Sequence, residues 1–563
     1  MTEQPNSNAM SNVSPPRKKH RNELGASTIG GEKAQHLNVL DGDESGERNS
    51  RIYGESHLMS DTTKPILARP KNLPTMKWCE DPQLDLPTEL KVVPTVVRTT
   101  NKQNGESTLM EVQLVRFYWF DARGTQHTIY LLGKAETTNG KLVSCCTVIE
   151  DMMRNIYLLP RQFAKKPFTR DLTRPSEDDA ALAEELMSAL ADLCDAQNIE
   201  KPLMKFVKRK YAFEEGGIPY EENTYLKLSY PYRDTNGLKL PANHPVFSKI
   251  FGDTQSALEL FLLKKQVKGP CWLDIHLPKA EDIKTGGIQH GSWCRMELKT
   301  SRNTIVVSND QSKVPQFSAM SLKIKTILSE DRRVNEIVAI GAVVHKNIVI
   351  DGQTSNAESG LEKFVLVQNR SSSSKNAFPI SIDGKMVFQN EFDLLSEFIN
   401  KLHLIDPDII IGHDVVFDLG VLLSRMDVLK VKDWSKIGRL RLNNYPKPQS
   451  GPGGMSEATR QEKVMTGRLV VDTYLSANEY LKESSYALLA LAVSRLGAEE
   501  IKEDIVLEND PSVIRHYIAR KNGFDSFVAH LEYNTVIALR LMFKLDLLPM
   551  TKELTNIAGN LWS

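Results

Sequence analysis

Six cysteines in 563 residues, none of them in a C-x-x-C pair, leave nothing from which a thiolate zinc site would be built. No apolar run approaches the length needed to cross a bilayer, and the polar N-terminus lacks the apolar core of a signal peptide. The expectation is therefore an intracellular chain with reduced thiols and no membrane contact. Neither sign of charge is in excess. Lysine plus arginine and aspartate plus glutamate each number 71, for a net charge of zero. That balance excludes a wholly basic nucleic-acid binder but leaves room for a local basic groove. Aromatics are only 7% of the residues, and there is no internal repeat. What is present is 40% hydrophobic and 25% charged, ample for large cores. The length suggests about two to four domains.

Residues 1 to about 85 lack periodicity and are rich in Asn, Ser, Gly, Pro, Asp and Glu, the composition of a disordered tail. Pro15-Pro16 introduces a basic cluster, Arg17, Lys18, Lys19 and Arg21. It reads either as a nuclear import signal or as a solvated charge run. Order is expected from Leu90. The segments 113–121, 126–132 and 141–149 are β-rich, with a turn at Ala122-Arg123-Gly124. Leu182, Leu186 and Leu190 mark a helix over 177–195, and another is expected over 256–265.

A new unit begins near Pro315. Strands are expected over 320–327 and 336–345, the second apolar enough for a central position. Asn390 is placed to cap a helix with Phe392, Leu395, Ile399 and Leu402 on one face. Short strands at 408–412 and 468–473 and helices at 484–496, 511–521 and 525–545 complete an α/β pattern with a mixed sheet.

The stretch 402–423, LHLIDPDIIIGHDVVFDLGVLL, is similar to the second exonuclease motif of the family B DNA polymerases. Further segments resemble the polymerase α branch of that family: RFYWFDA (116–122), SCC (144–146), LLPR (158–161), KGPCWLD (268–274), SWCRMEL (292–298), DWSKIGRL (433–440), GRLVVDTYLSANEYL (467–481) and TNIAGN (555–560). They occur in the family's order from Phe117 onward. The resemblance implies an α/β and α+β multidomain chain. Its parts are a disordered tail over 1–85, the family's β-rich N-terminal domain over 90–310, an RNase H-like exonuclease-type domain with a mixed sheet over 315–550, and the start of a palm over 551–563.

In exonuclease-proficient members, carboxylates hold two divalent ions that stabilise the attacking water and the leaving oxygen. Hard cations such as magnesium require oxygen ligands. The family draws these acids from F-D-I-E-T on a first strand, the aspartate of the second motif, and Y-x-x-x-D on a late helix. Here the first motif aligns with Leu322-Lys323-Ile324-Lys325-Thr326, so period two puts Lys323 and Lys325 on one strand face. The third aligns with His530-Leu531-Glu532-Tyr533-Asn534, placing His530 at the tyrosine and Asn534 at the essential aspartate. Asp418 survives in the second motif, in a spacing one residue shorter than usual. One acid cannot hold two metals. The expectation is a degenerate exonuclease with no catalytic residue, metal or cofactor of its own. Two arrangements stay open: a lysine pairs with Asp418 where a metal would sit, or both lysines face solvent. Asp406, Asp408 and Asp472 read as caps or terminators of elements rather than replacement ligands, and His413 as a hydrogen-bonded turn residue.

Nucleic-acid contacts are expected from Lys430, Lys432, Lys436, Arg439, Arg441 and Lys447, with Trp434 and Tyr445 between them and Asp433 the one acid. The alternative is a solvated basic face. KFVKRK (205–210) and 264–268 are further candidates. The palm motifs D-x-x-S-L-Y-P and Y-G-D-T-D are missing, as is the family's cysteine-rich C-terminal segment. The expectation is a polymerase fragment acting as a template-guiding scaffold. Its parent would be a nuclear, magnesium-dependent DNA-directed DNA polymerase that extends RNA primers at replication initiation. That parent would work on DNA and RNA-primed template with primase and accessory subunits. The alternative is a self-standing nucleic-acid-binding protein or 3′–5′ exonuclease.

Overall fold

The computed structural model describes residues 74–79 and 89–562, apart from 101–106, 126, 162–171, 174–176, 211–217, 219–221, 233–236, 278–282, 286–290, 312, 330–333, 351–359, 369–379, 383–384, 447–455, 499–513 and 515–520. The basic cluster Arg17, Lys18, Lys19 and Arg21, the residue Lys447 and nearly all of the helix expected over 511–521 lie outside the described residues.

Among the described residues, three sheets organise the chain. The first has eight strands and is built around Ser107–Gly124, which pairs antiparallel with Val93–Thr100, Ile129–Glu136 and Cys271–Leu277. Period two divides the aromatic run between two cores. Phe117 and Trp119 pack with Leu260 and Phe261 of the helix Ala257–Lys265, while Tyr118 and Phe120 pack with Phe317 of the third sheet. A capping box starts that helix: Ser256 Oγ accepts from Glu259 N, and the Glu259 carboxylate accepts from Ser256 N.

The second sheet has four strands in the order Leu203–Lys210, Glu222–Pro231, Met153–Pro160, Phe247–Phe251. The helix Glu177–Ala196 contributes Leu186 and Leu190 to its core.

The third sheet carries the site. Besides the short strand Lys77–Trp78, its strands are β1 (Phe317–Leu328), β2 (Asn335–Ile348), β3 (Glu362–Gln368), β4 (Ile380–Ile382), β5 (Lys385–Phe388), β6 (Ile409–Gly412) and β7 (Leu469–Asp472), ordered β4-β5-β3-β2-β1-β6-β7. The apolar β2 is central, as its composition requires. β1, β2 and β3 pair antiparallel, whereas β6 and β7 run parallel to β1, giving the expected mixed sheet. The helices are α1 (Glu391–Ile405), α2 (Val415–Leu429), α3 (Glu457–Met465), α4 (Thr473–Tyr480), α5 (Leu488–Leu496), α6 (Lys521–Lys544) and α7 (Leu547–Ala558). On one side α1 and α2 seal a core that includes Leu322, Ile340, Phe398 and Leu422. Full burial of each such side chain contributes about 1.5–3 kcal/mol. On the other side α6 crosses β2, β1 and β6, and it approaches so closely that a Cβ on Gly341 would lie 2.5 Å from Leu531 Cγ.

Three expectations need correction. Lys77–Trp78 belongs to no tail: it forms a strand parallel to β3, held by Cys79 N to Lys363 O at 2.8 Å, with Lys363 Nζ 4.5 Å from the Trp78 ring centroid. Asn390 caps α1 through Asp393 N, but Phe392 points outward and the buried face is Leu394, Leu395, Phe398, Ile399 and Leu402. The face is rotated because Glu391 turns inward to accept from Ile337 N and to grip Arg425. The helix expected from Ser484 begins at Leu488, since Glu483 folds back onto Arg495.

Candidate active site

Alternation along β1 decides the site. Met320, Leu322 and Ile324 enter the core under α1 and α2. Ser321, Lys323 and Lys325 take the opposite face, where Ser321 Oγ donates to Thr535 O of α6 at 2.7 Å. β6 pairs with β1 only as far as Ser321 and ends at Gly412, so the β1 edge is open where α2 begins. Asp418, in the first turn of α2, occupies that notch and is 4% exposed. Lys323 Nζ stands 3.1 Å from Asp418 Oδ2 and 3.5 Å from His413 O. Burial pushes the Asp418 carboxyl up, and the neighbouring Lys323 and the Ile324 amide only partly offset it. Lys325 is also buried, so neither lysine is a free surface cation.

On α6, His530 and Asn534 lie one turn apart and both are buried. Glu532, between them, has its carboxylate 2.8 Å from Lys363 Nζ of β3 at both oxygens. A divalent cation does not fit this cleft. An ammonium stands beside its one carboxylate, and among the described residues no three His, Cys, Asp or Glu side chains come together as a metal would require.

Asp472, Asp406 and Asp408 are engaged with the protein's own groups. Asp472 accepts from Asp414 N and Val416 N and from Tyr474 N and Leu475 N, tying together the starts of α2 and α4. Even with four amides, burial leaves its carboxyl raised. His413 Nδ1 lies 3.0 Å from Thr473 Oγ1.

Asp406 and Asp408 enter a buried charge cluster that the sequence reading missed. Arg439, fully buried, binds Asp406 Oδ1 at 3.0 Å and Asp408 Oδ1 at 2.9 Å. Arg468, equally buried, binds Asp406 Oδ1 at 2.9 Å. Lys134 of the first sheet reaches Asp408 Oδ2 at 2.7 Å. Burial alone would raise the Asp408 carboxyl, but Lys134 and Arg439 hold it below the usual range. The same opposition, through Arg439 and Arg468, keeps Asp406 well below it. A signal existed. Gly-Arg-Leu occurs at 438–440 and again at 467–469, and Gly467 takes φ +91° with its amide bonded to Asp121.

Arg439 must therefore be struck from the expected nucleic-acid contacts, because no part of it reaches solvent. The 3-10 turn Trp434–Ile437 breaks up the rest of that run. Trp434 and Tyr445 stack edge-to-face on each other at 4.9 Å, packed against the core. Arg441 and Lys436 sit over the Trp293 ring at 3.8 and 5.0 Å, and Lys436 also pairs with Asp433. Lys430 and Lys432 remain exposed, Lys430 paired with Asp427.

Residues 248–491 match the family described as DNA polymerase family B, exonuclease domain. The chain belongs to the family B DNA polymerases. It is 32% identical over 489 residues to the DNA polymerase alpha catalytic subunit of Oxytricha trifallax, covering 82% of this chain and 30% of that protein. With the subunit of Xenopus laevis the identity is 33% over 468 residues, covering 80% and 30%. The chain thus spans about three-tenths of the length of the curated relatives it matches. The family B DNA polymerase of the archaeon Pyrobaculum calidifontis shares the fold, with a TM-score of 0.50 at 14% identity over 79% of this chain and 47% of that one. In this family B chain, then, the exonuclease-type fold is present while its cleft holds a lysine–aspartate pair.

One consequence of the packing is a pH response. His403, at the end of α1, lies edge-on to Trp293 at 6.0 Å. Burial lowers its imidazole to about 4; Asp406 opposes this, while Arg295, Lys436 and Arg468 reinforce it. The unfolded chain therefore takes up a proton that the folded chain refuses, so stability falls as pH drops from about 6.5 toward 4. His403→Gln should flatten the thermal midpoint over that window. An unchanged slope would remove His403 as its source.

Proposed function

We propose that this chain is the N-terminal and exonuclease-domain part of a replicative polymerase of the α type, and that its exonuclease-type domain is a non-catalytic scaffold guiding template. The observation that carries the reading is the Lys323–Asp418 pair at 3.1 Å, an ammonium in the place where metal-dependent relatives need a cation bound by several carboxylates. Lys325 and Asn534 at the other expected acid positions support it. The similarity to polymerase alpha catalytic subunits supports a parent activity of DNA-directed synthesis on RNA-primed template, with magnesium in the palm, in a nuclear complex with primase and accessory subunits.

The test is degradation of a labelled single strand by the purified chain with magnesium or manganese, beside Asp418→Ala. No cleavage by either protein is the expected result. Cleavage that Asp418→Ala abolishes would refute the non-catalytic reading.

A further inference from the structure

The second sheet has two unlike faces. Ile156, Leu158, Leu226 and Leu228 supply its apolar core. Pairing places Asn155 opposite Ser229, Tyr157 opposite Lys227, and Lys205 opposite Lys227 on the other face. Like charges directly opposite each other destabilise a strand pair. Here the repulsion is compounded, because Lys264 at the end of the helix Ala257–Lys265 also faces Lys227, with Lys265 and Arg302 nearby. Among the described residues, none of Lys205, Lys227, Lys264 and Lys265 has an ion-pair partner within 4.0 Å. Asp151, which acts on Lys265, accepts from Arg302 N at 2.7 Å and stands 3.9 Å from Arg302 Nη1. Five cations thus gather here, and Asp151 is engaged by Arg302.

Between this face and the helix lies a cleft of about 410 Å³ lined by Asn155, Ser229, Lys264, Lys265, Arg302 and Asn303. Its size falls in the ~300–1,000 Å³ range of built ligand clefts. The lining is largely polar. Burial and the neighbouring cations lower the ammonium groups of Lys227 and Lys264. A polyanion entering the cleft would relieve that strain. A volume of about 410 Å³ holds a nucleotide or two of one strand and falls short of the cross-section of a duplex. Tyr157, half-buried, pairs opposite Lys227 on the sheet, with its ring centroid 5.9 Å from Lys227 Nζ, so an aromatic ring accompanies these cations, as in many single-strand sites.

The geometry points to a binding site for single-stranded nucleic acid on this face, with Lys205, Lys227, Lys264, Lys265 and Arg302 on its phosphates and Asn155, Ser229 and Asn303 as hydrogen-bonding groups. The site lies apart from the exonuclease-type cleft and does not depend on whether that cleft is active. It also differs from the 430–447 run, whose cations are largely engaged with the protein's own side chains.

The test is fluorescence anisotropy of labelled oligo-dT and oligo-rU with the full chain, wild type against a Lys227→Gln/Lys264→Gln/Lys265→Gln variant, across a salt series. Affinity should fall about tenfold or more. Losing three phosphate contacts should lower the slope of log K against log salt by about 2, at roughly 0.7 per contact on single strands. The thermal midpoint of the free variant should be equal or higher, because self-repulsion is relieved. That readout separates lost binding from lost folding. Unchanged affinity in a folded variant would overturn the proposal, as would equal competition by duplex DNA. Photo-crosslinks from a halogenated-uridine strand should map to 153–160, 222–231 or 257–265, and crosslinks confined elsewhere would also overturn it.

Discussion

Asp408→Ala should be among the most damaging single substitutions in this protein, costing about 3–5 kcal/mol, the range for leaving buried charge uncompensated. The cluster holds three cations, Lys134, Arg439 and Arg468, against two carboxylates, Asp406 and Asp408. Removing Asp408 leaves three buried cations on one carboxylate and strips Ser318 N and Oγ of their acceptor. Arg439→Met is milder by the same logic. It leaves two cations on two carboxylates and chiefly frees the carbonyls of Asp406 and Gly467, a loss of about 1–3 kcal/mol. Urea unfolding should rank the two in that order, and the reverse ranking would show that charge balance does not govern the cluster. Acid supplies an independent check. Asp406 and Asp408 have depressed carboxyl values in the fold, so their stabilisation is complete above the unfolded value of 3.8 and is lost as pH falls through the lower folded values. The wild-type midpoint should therefore drop steeply below pH ~4 and the Asp408→Ala midpoint less so.

The cluster also shows which parts of the fold were legible in the sequence. Elements whose residues answer to local rules were readable: β2 as a central strand from its apolar run, α1 from the Asn390 cap, and the Ala257–Lys265 helix, expected over 256–265. The family motifs and their order carried the mixed sheet and the family itself. Long-range partners were not readable. Nothing local tells Arg439 that its carboxylates lie 31 and 33 positions back, so a basic run looked like a surface. Trp293 and Arg441 are 148 positions apart, yet they form one stack. The strand at Lys77–Trp78 escaped because two residues bear no periodicity, and its existence depends on an edge supplied by β3. At the cleft, spacing could name Lys323 and Asp418 but could not choose between a pair and two solvated lysines. The open edge of β1 beyond Gly412 made the choice, because it leaves a notch that Asp418 fills and Lys323 reaches.

Returning carboxylates to that notch should restore a metal site. In Lys323→Asp/Lys325→Glu/Asn534→Asp, Asp418 would stand with acids at every position the family motifs use, in a cleft where Asp418 is already raised by burial. Without metal the variant should be less stable than wild type, because like carboxylates in a desolvated cleft repel one another and lose the lysine counter-charges. Manganese should reverse this. Binding to the folded state alone raises stability by about 2.7 kcal/mol at a hundredfold excess over Kd, and the wild-type chain should show no such rise. The gain must also grow with pH, since the raised carboxyls must release protons before they can ligate. Adding Asp418→Ala to the triple variant should weaken the manganese shift, separating a metal held in the notch from one held elsewhere. Thermal melts with and without manganese at pH 6 and 8 decide it. A triple variant that manganese leaves unshifted at both would mean that β1 and α6 do not bring these positions into one cleft around Asp418. A shift would mean that the fold keeps the architecture of a nuclease and lacks only the charges. Nuclease activity in the shifted variant would be a separate question, since the motif alignment puts His530 in place of the tyrosine that orients the water.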